Sequence, residues 1–424
     1  MKLQLLSAGI ILVISLYLIK TKSKTKNNVC KTFEDYYTDR DRNENCHYNP
    51  DGELTVPEII KRWGYPVETH YVTTEDGYIL TLFRIPYGKK STLKQPGKPV
   101  LLQHGYKATS KCFISTGEKS LGFLLADHGY DVWLGNFRGS IYSRNHTQLS
   151  DTEKKFWDFS FHEIGLYDIA AKIDYVNKYR KQKIIYLGFS MGTTTATVYS
   201  STYPDIAENK VKIFIYFAPF IFTNEIGSYT YKGLQIWPYI EPILRTLGKG
   251  QLFPRPFDDL NIQLWKFLCY PYPVQMKICQ ILDMWSFGFD YEQIDPETYP
   301  VTLLQLLETT SVKTVTHISQ LLKSEEFQQF DYGEEGNLKK YRSEKPPQYD
   351  LSKLRVPIYL IRSDNDNLST KSGIERFNAS IPERVKPYDI YVVNYKKFNH
   401  IDFVFSKDVV PLLYNHLIQF MNNL

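Results

Sequence analysis

The sequence has few cysteines and little net charge for its length. Five cysteines occur in 424 residues and none forms a Cys-x-x-Cys pair, which argues against a structural zinc site or a dithiol redox motif. The formal net charge is +5, and no long block of like charge occurs outside Lys20 to Lys26. The sequence therefore lacks the basic pattern of a nucleic-acid-binding protein. It also contains no internal repeat.

One long apolar run is present, from Leu3 to Ile19, and it follows Lys2. A charged start and an apolar segment are typical of a secretory signal peptide, but no small-x-small cleavage site follows. The run is also at the short end of lengths that cross a bilayer, so an uncleaved anchor through residues 3–19 is the alternative. Four lysines after the run would favour a cytosolic flank. Both interpretations predict entry into the secretory pathway, with a secreted or lysosomal destination if the segment is cleaved.

The cysteines and the glycosylation sequons fit that route. In an oxidising compartment, two local bridges are expected, with Cys112 left free: Cys30–Cys46 and Cys269–Cys279. Five reduced thiols are the expectation if the protein is cytosolic. Three Asn-x-Ser/Thr sequons occur, and two of them predict glycosylation, at Asn145 and Asn378. The third, at Asn367, adjoins the candidate site residue Asp366 and is not expected to carry sugar.

The chain divides into five predicted parts. Residues 1–26 are the signal peptide or anchor, and residues 27–54 form a polar extension. Residues 55–220 and 331–424 contain alternating strands and helices, whereas residues 221–330 are rich in aromatics and prolines and indicate a helical insertion. Strand–helix alternation of this kind predicts βαβ units and a mostly parallel sheet.

Individual elements follow from apolar periodicity. A hairpin is predicted over His70–Ile85. The predicted strands are 100–103, 130–134, 184–187, 211–217, 356–361 and 388–395. The predicted helices are 117–127, 163–179, 193–203, 301–307, 311–322 and 407–422.

The most informative motif is Gly188-Phe189-Ser190-Met191-Gly192, between a buried strand and a helix. A serine on such a sharp turn is held in a strained conformation with its hydroxyl exposed. The two glycines remove Cβ atoms that would collide where strand and helix meet. The helix N-terminus adds positive dipole near a developing oxyanion. Ser190 is therefore predicted to be a nucleophile, although the bare motif is common.

A serine hydroxyl needs a general base and a group that orients the base. On a fold of this kind the chain order is Ser, then Asp or Glu, then His. His400 follows the last predicted strand and is the predicted base. Asp366 and Asp364 both follow the preceding strand and compete for the orienting role, with Asp402 a distant third.

The oxyanion of an acyl-transfer intermediate needs backbone donors. The amide after the nucleophile, Met191, is the first candidate. The second should come from the loop after an early strand, and Gln103-His104-Gly105-Tyr106 fits that loop. The Tyr106 amide is therefore predicted to be the second donor.

Several stretches together resemble the acid lipase family, which includes the gastric and lysosomal acid lipases. The stretch Gly129–Ser140 resembles the family signature GYDVWLGNSRGN. The other matching stretches are Trp63–Pro66, Thr74–Leu80, Phe156–Glu163, which resembles FWAFSFDEM, and Phe398–Phe403, which resembles YNHLDF. The resemblance spans Leu54 to Leu424, and the insertion matches least.

The resemblance implies an α/β-hydrolase fold with a helical cap or lid, acting on triacylglycerols or cholesteryl esters at a lipid–water interface. It places the triad on Ser190, Asp366 and His400, and so selects Asp366 over Asp364. It places the oxyanion donors on Tyr106 and Met191. It also implies a cap disulfide between Cys269 and Cys279. No cofactor, metal or nucleic acid is implied.

The chain departs from the family pattern around the nucleophile. The usual elbow is GHSQG, whereas Phe189 and Met191 flank Ser190 here, and Tyr106 replaces the usual leucine. The donors are backbone amides, so these changes need not abolish activity but can alter the acyl pocket. Two other functions stay open: a carboxylesterase for short esters, and a non-catalytic binding protein of the same fold.

Overall fold

The computed structural model describes residues 26–89, 94–252, 269, 273–303 and 308–424. The strands in these residues are β1 Val29–Cys30, β2 Cys46–His47, β3 Glu68–Thr73, β4 Tyr78–Ile85, β5 Pro99–Gln103, β6 Asp131–Gly135, β7 Asn145–His146, β8 Ile184–Phe189, β9 Val211–Phe217, β10 Gln251–Leu252, β11 Thr310–Ser311, β12 Ile358–Arg362 and β13 Tyr391–Val392.

The helices alternate with these strands over most of the chain. They are α1 Val56–Arg62, α2 Leu121–Asp127, α3 Ala170–Arg180, α4 Met191–Thr202, α5 Pro204–Lys210, α6 Ser228–Leu247, α7 Pro273–Phe287, α8 Tyr299–Leu303, α9 Val312–Ser324, α10 Glu334–Tyr341, α11 Lys371–Ser380, α12 Asp402–Phe405 and α13 Asn415–Asn422. A helical turn, Phe161–Glu163, and a π-helical stretch, Ile164–Ile169, lead into α3. A second π-helical stretch, Val410–Tyr414, leads into α13.

The central sheet has the order β13-β12-β9-β8-β5-β6-β4-β3, with β7 paired to β4. The strands from β13 to β6 pair in parallel, and those around β4 pair antiparallel. The predicted mostly parallel sheet is therefore confirmed. Strand β8 lies near the middle of this order, so the turn that follows it is at the centre of the sheet. In folds of this type, ligands bind at the carboxyl ends of the parallel strands, where this turn lies.

Both faces of the sheet are covered by apolar side chains. Alternate residues of each strand point to opposite faces, so Leu101 and Tyr186 enter one buried cluster while Leu102 and Leu187 enter the other. Burial on two sides explains why the strands read as continuous apolar runs rather than alternating ones.

Most predicted elements are confirmed, with shifted ends. The hairpin and the strand over 211–217 are present, and α4 begins two residues earlier than predicted. The predicted strand 388–395 is wrong in length, because only Tyr391–Val392 pair with β12 at the sheet edge. The predicted helix 301–307 overlaps α8, and its residues 304–307 lie outside the described part of the chain.

The cysteines pair as the sequence predicted. Cys30 and Cys46 are joined by a disulfide that links the two strands of the N-terminal extension, β1 and β2. Cys269 and Cys279 form the second disulfide, which ties α7 to the chain before it. Cys112 is free and buried.

The residues between β9 and β12 contain five helices in their described part, α6 to α10. Helix α6 packs on α9 through Trp237, Val312 and Val315. The two short strands β10 and β11 pair beneath these helices, which the sequence did not predict. Among the described residues, no helix is long and apolar enough to cross a bilayer. The apolar run of residues 3–19 lies outside them.

Candidate active site

Ser190 lies in the tight turn between β8 and α4, with φ 54° and ψ −121°. A non-glycine residue at positive φ is uncommon and costs conformational energy. The flanking glycines allow the strand and the helix to approach. A Cβ on Gly192 would lie 2.5 Å from the backbone oxygen of Gln103, and one on Gly188 would lie 2.8 Å from the backbone of Gly192. The turn therefore has the geometry of a nucleophile elbow.

The predicted base and acid are both beside this serine. His400 Nε2 is 2.8 Å from Ser190 Oγ, and His400 Nδ1 is 2.8 Å from Asp366 Oδ2. The imidazole and the carboxylate side chains are 3% and 1% exposed. In this arrangement Nδ1 donates to the carboxylate, and Nε2 is left to accept the serine proton.

The structure distinguishes the three candidate carboxylates. Asp366 is held by the backbone amides of Leu368 and Ser369, which donate to Oδ1 and leave Oδ2 facing His400. Asp364 points away: its carboxylate is half-exposed and pairs with Arg362 at 2.6 Å.

Asp402, the third candidate, forms a hydrogen bond within its own loop. Its carboxyl accepts the amide of Asn399 at 2.7 Å and contacts the carboxyl of Asp290. Burial raises the pKa of both groups.

The loop after β5 lies against the nucleophile. A Cβ on Gly105 would be 2.9 Å from Ser190 Cβ, so glycine is required for this approach. His104 holds the loop: its Nε2 accepts the Phe137 amide at 3.2 Å, and its Nδ1 then donates to the Gly105 oxygen at 2.8 Å. Burial lowers the pKa of His104 to about 3, which keeps this ring neutral.

The two predicted oxyanion donors flank the serine. Met191 is the first residue of α4, so its N–H belongs to the first helical turn, whose donors have no intrahelical acceptor. Tyr106 directly follows Gly105, and its ring packs against the apolar cluster around Trp237.

A buried polar network beneath the site was missed at the sequence level. Lys172 on α3 is fully buried, and its ammonium donates to Gln103 Oε1 at 2.6 Å and to the Asn136 oxygen at 3.2 Å. Burial lowers the pKa of Lys172 to about 7. The only signal in the sequence was a lysine within the apolar spacing of that helix. The network links the helix to the strand end that precedes the His104 loop.

A parallel sheet with a strained serine at a central strand-to-helix turn, facing a histidine–aspartate pair, defines an α/β hydrolase. A model described as a partial α/β-hydrolase lipase region matches residues 56–117, and one of the α/β hydrolase fold matches residues 98–226.

Sequence similarity to known proteins identifies the family within this class. Lipase 1 of Drosophila melanogaster is 36% identical over 384 residues, covering 90% of this chain and 83% of that protein. Gastric triacylglycerol lipase of Bos taurus is 34% identical, covering 88% of this chain and 92% of that protein. The chain therefore belongs to the acid lipase family of α/β hydrolases, a family of carboxylic ester hydrolases.

A solved structure agrees at the level of the fold. The soluble variant of monoglyceride lipase from Saccharomyces cerevisiae, solved with a substrate analog, matches with a TM-score of 0.50 at 14% identity, over 85% of this chain and 98% of that one. Among the described residues, no group of three or more histidine, cysteine or acidic side chains is arranged to hold a metal ion.

Proposed function

We propose that this protein is a serine lipase that hydrolyses esters of neutral lipids, such as triacylglycerols or steryl esters, through an acyl-enzyme. The observation that carries the proposal is the continuous hydrogen-bonded line from Ser190 Oγ through His400 to Asp366. A serine, a base and an orienting carboxylate in this order form the catalytic unit of acyl transfer.

In the first half-reaction His400 Nε2 takes the proton of Ser190 Oγ, which attacks the ester carbonyl. The amides of Met191 and Tyr106 stabilise the oxyanion. His400 then gives the proton to the alcohol, which leaves as the C–O bond breaks. In the second half-reaction His400 takes a proton from water, which attacks the acyl-enzyme. His400 then returns the proton to Ser190 Oγ as its bond to the acyl carbon breaks, and the fatty acid is released. Asp366 holds the imidazole in the required tautomer throughout.

The surface of helix α6 supports a lipid substrate. One face of this helix carries large apolar side chains that are exposed: Ile236, Tyr239, Ile240, Ile243 and Leu247. Their spacing places them in one stripe. A second face of the helix buries Trp237 against α9. An exposed apolar stripe on a helix that is already packed on its other side is suited to contact with a lipid–water interface.

The purified protein is expected to react with a fluorophosphonate probe and to hydrolyse esters across an acyl series from acetyl to oleoyl. Emulsified long-chain substrates should be cleaved at least as fast as soluble short ones, and Ser190→Ala should abolish both labelling and hydrolysis. No labelling would contradict both the lipase and the carboxylesterase. Labelling with activity confined to acetyl and butyryl esters would instead favour a short-chain carboxylesterase.

A variant of the α6 stripe tests the interface directly. Ile240→Ser combined with Ile243→Ser is expected to lower hydrolysis of emulsified trioleoylglycerol about ten-fold or more, because each isoleucine contributes about 1.5–3 kcal/mol on burial. Hydrolysis of soluble p-nitrophenyl butyrate should stay within two-fold of wild type. Gln235→Ser, on the same helix, serves as the control. An equal loss on both substrates would argue against interfacial binding by this stripe.

The cellular setting follows from the same features. We propose entry into the secretory pathway, with secretion or lysosomal delivery, because two disulfides favour an oxidising compartment. Residues 3–19 act as a signal peptide or remain as a membrane anchor, and Asn145 and Asn378 are proposed to carry glycans. The hydrolase core is assigned to residues 55–220 and 331–424, and the cap to residues 221–330.

A further inference from the structure

A segment at the end of helix α7, Trp285–Gln293, crosses from the cap to both loops that carry the acid and the base. The backbone oxygen of Phe287 accepts two hydrogen bonds, each 3.2 Å long: one from the amide of Asn367 and one from the amide of His400. Asn367 directly follows Asp366. A single carbonyl therefore joins the two catalytic loops at the residues where their relative position matters most.

The segment also approaches both catalytic loops closely. Gly288 has φ +123°, and a Cβ there would lie 1.9 Å from the backbone oxygen of Asn365 and 2.9 Å from Asn399 Cβ. Both loops donate back to the segment: Asn399 Nδ2 to the Gly288 oxygen at 3.1 Å, and Asn365 Nδ2 to the Phe289 oxygen at 3.0 Å. Any side chain at position 288 would force the segment and the loops apart.

The side chain of Phe287 reaches the base itself. Its ring lies nearly parallel to the imidazole of His400, with 10° between the planes and 6.0 Å between the centroids. The ring of Phe189 borders the same imidazole at 5.1 Å. Further along the segment, Asp290 contacts Asp402, two residues after His400.

We infer that the cap segment Trp285–Gln293 is a positioning element of the active site, in which Phe287 and Gly288 set the distance and orientation between Asp366 and His400. The inference rests on the proposed triad. It makes the cap part of the catalytic geometry in addition to covering the substrate. A misplacement of about 1 Å in such a unit can cost about 100-fold in rate, so small movements of this segment have large effects.

Phe287→Ala and Gly288→Ala are expected to lower kcat about 10- to 100-fold for p-nitrophenyl acetate, butyrate and octanoate alike, with KM within two-fold of wild type. Phe287→Tyr keeps the ring and should restore kcat to within two-fold. Ile278→Ala is the control, because that side chain lies on the same helix but outside the segment and is 53% exposed, and its kcat should equal that of wild type. Circular dichroism and thermal melting establish that each variant is folded.

Two results would overturn the inference. The first is a folded Phe287→Ala with kcat within two-fold of wild type. The second is a loss that grows with acyl length, which would make the ring a wall of the acyl site. If Phe287→Ala fails to fold, Phe287→Leu takes its place, with an expected loss of about 3- to 10-fold in kcat for every ester. Failure of the triad itself would look different, since wild type would then be inactive or Ser190→Ala would retain activity.

Discussion

Ser190→Ala is expected to lower kcat/KM for ester hydrolysis by at least about 10⁴-fold, and by as much as about 10⁶-fold. The variant removes the atom that forms the acyl-enzyme, which among the described residues is the hydroxyl bonded to His400 Nε2. The remaining activity would come from substrate binding and the oxyanion donors, which still stabilise attack by water. The measurement is kcat/KM on p-nitrophenyl butyrate, together with loss of fluorophosphonate labelling.

The control for this variant is Ser200→Ala, the same change at a buried position on α4, the helix that follows Ser190. Its activity should stay within about two-fold of wild type. Ser190→Ala should also unfold at the wild-type temperature or slightly above it, because catalytic positions often cost stability. If Ser190→Ala kept a tenth or more of the wild-type kcat/KM, Ser190 would not be the nucleophile.

The elbow could be recognised from the sequence because its determinants are local. A buried strand, two glycines and a following helix are all encoded within a few residues of Ser190, and the structure has each of them. Two parallel strands that end at the same edge of the sheet also bring their following loops together, so the order of Asp366 and His400 carried spatial information.

The choice between Asp364 and Asp366 had no such local signal. Both residues lie on one loop, and the residues alone left them equal; only the family resemblance separated them. In the structure the difference is backbone direction: the amides of Leu368 and Ser369 turn one carboxylate toward His400, while Arg362 draws the other to the surface.

Contacts between distant parts of the chain could not be predicted from the sequence. The bond from the His400 amide to Phe287 joins residues more than a hundred positions apart, and no periodicity encodes it. Likewise, Tyr388 to Tyr395 has an apolar pattern suited to a strand, but edge strands depend on what pairs with them, and only two residues find a partner in β12.

The largest expected effect on stability comes from a substitution in the buried ion cluster around Arg138. Its Nε donates to Asp168 Oδ1 at 2.6 Å, and its backbone amide donates to Asp168 Oδ2 at 2.9 Å. The other end of the guanidinium forms two bonds to Asp76 and lies 3.9 Å from the ring centre of Tyr78. Asp168 is fully buried.

Asp168→Asn is expected to lower the free energy of unfolding by about 3–5 kcal/mol, because it leaves a buried arginine short of its counter-ion. The neighbouring Lys172 is affected as well: burial lowers its pKa to about 7 and Asp168 opposes that shift, so the neutral amide favours the uncharged form of this lysine. Urea unfolding at constant pH gives the measurement.

Asp174→Asn, on the same helical stretch, is the control: its carboxylate is 31% exposed and pairs with surface lysines, so the loss should not exceed about 1 kcal/mol. Equal losses at the two positions would mean that Arg138 does not depend on Asp168 for the balance of its charge.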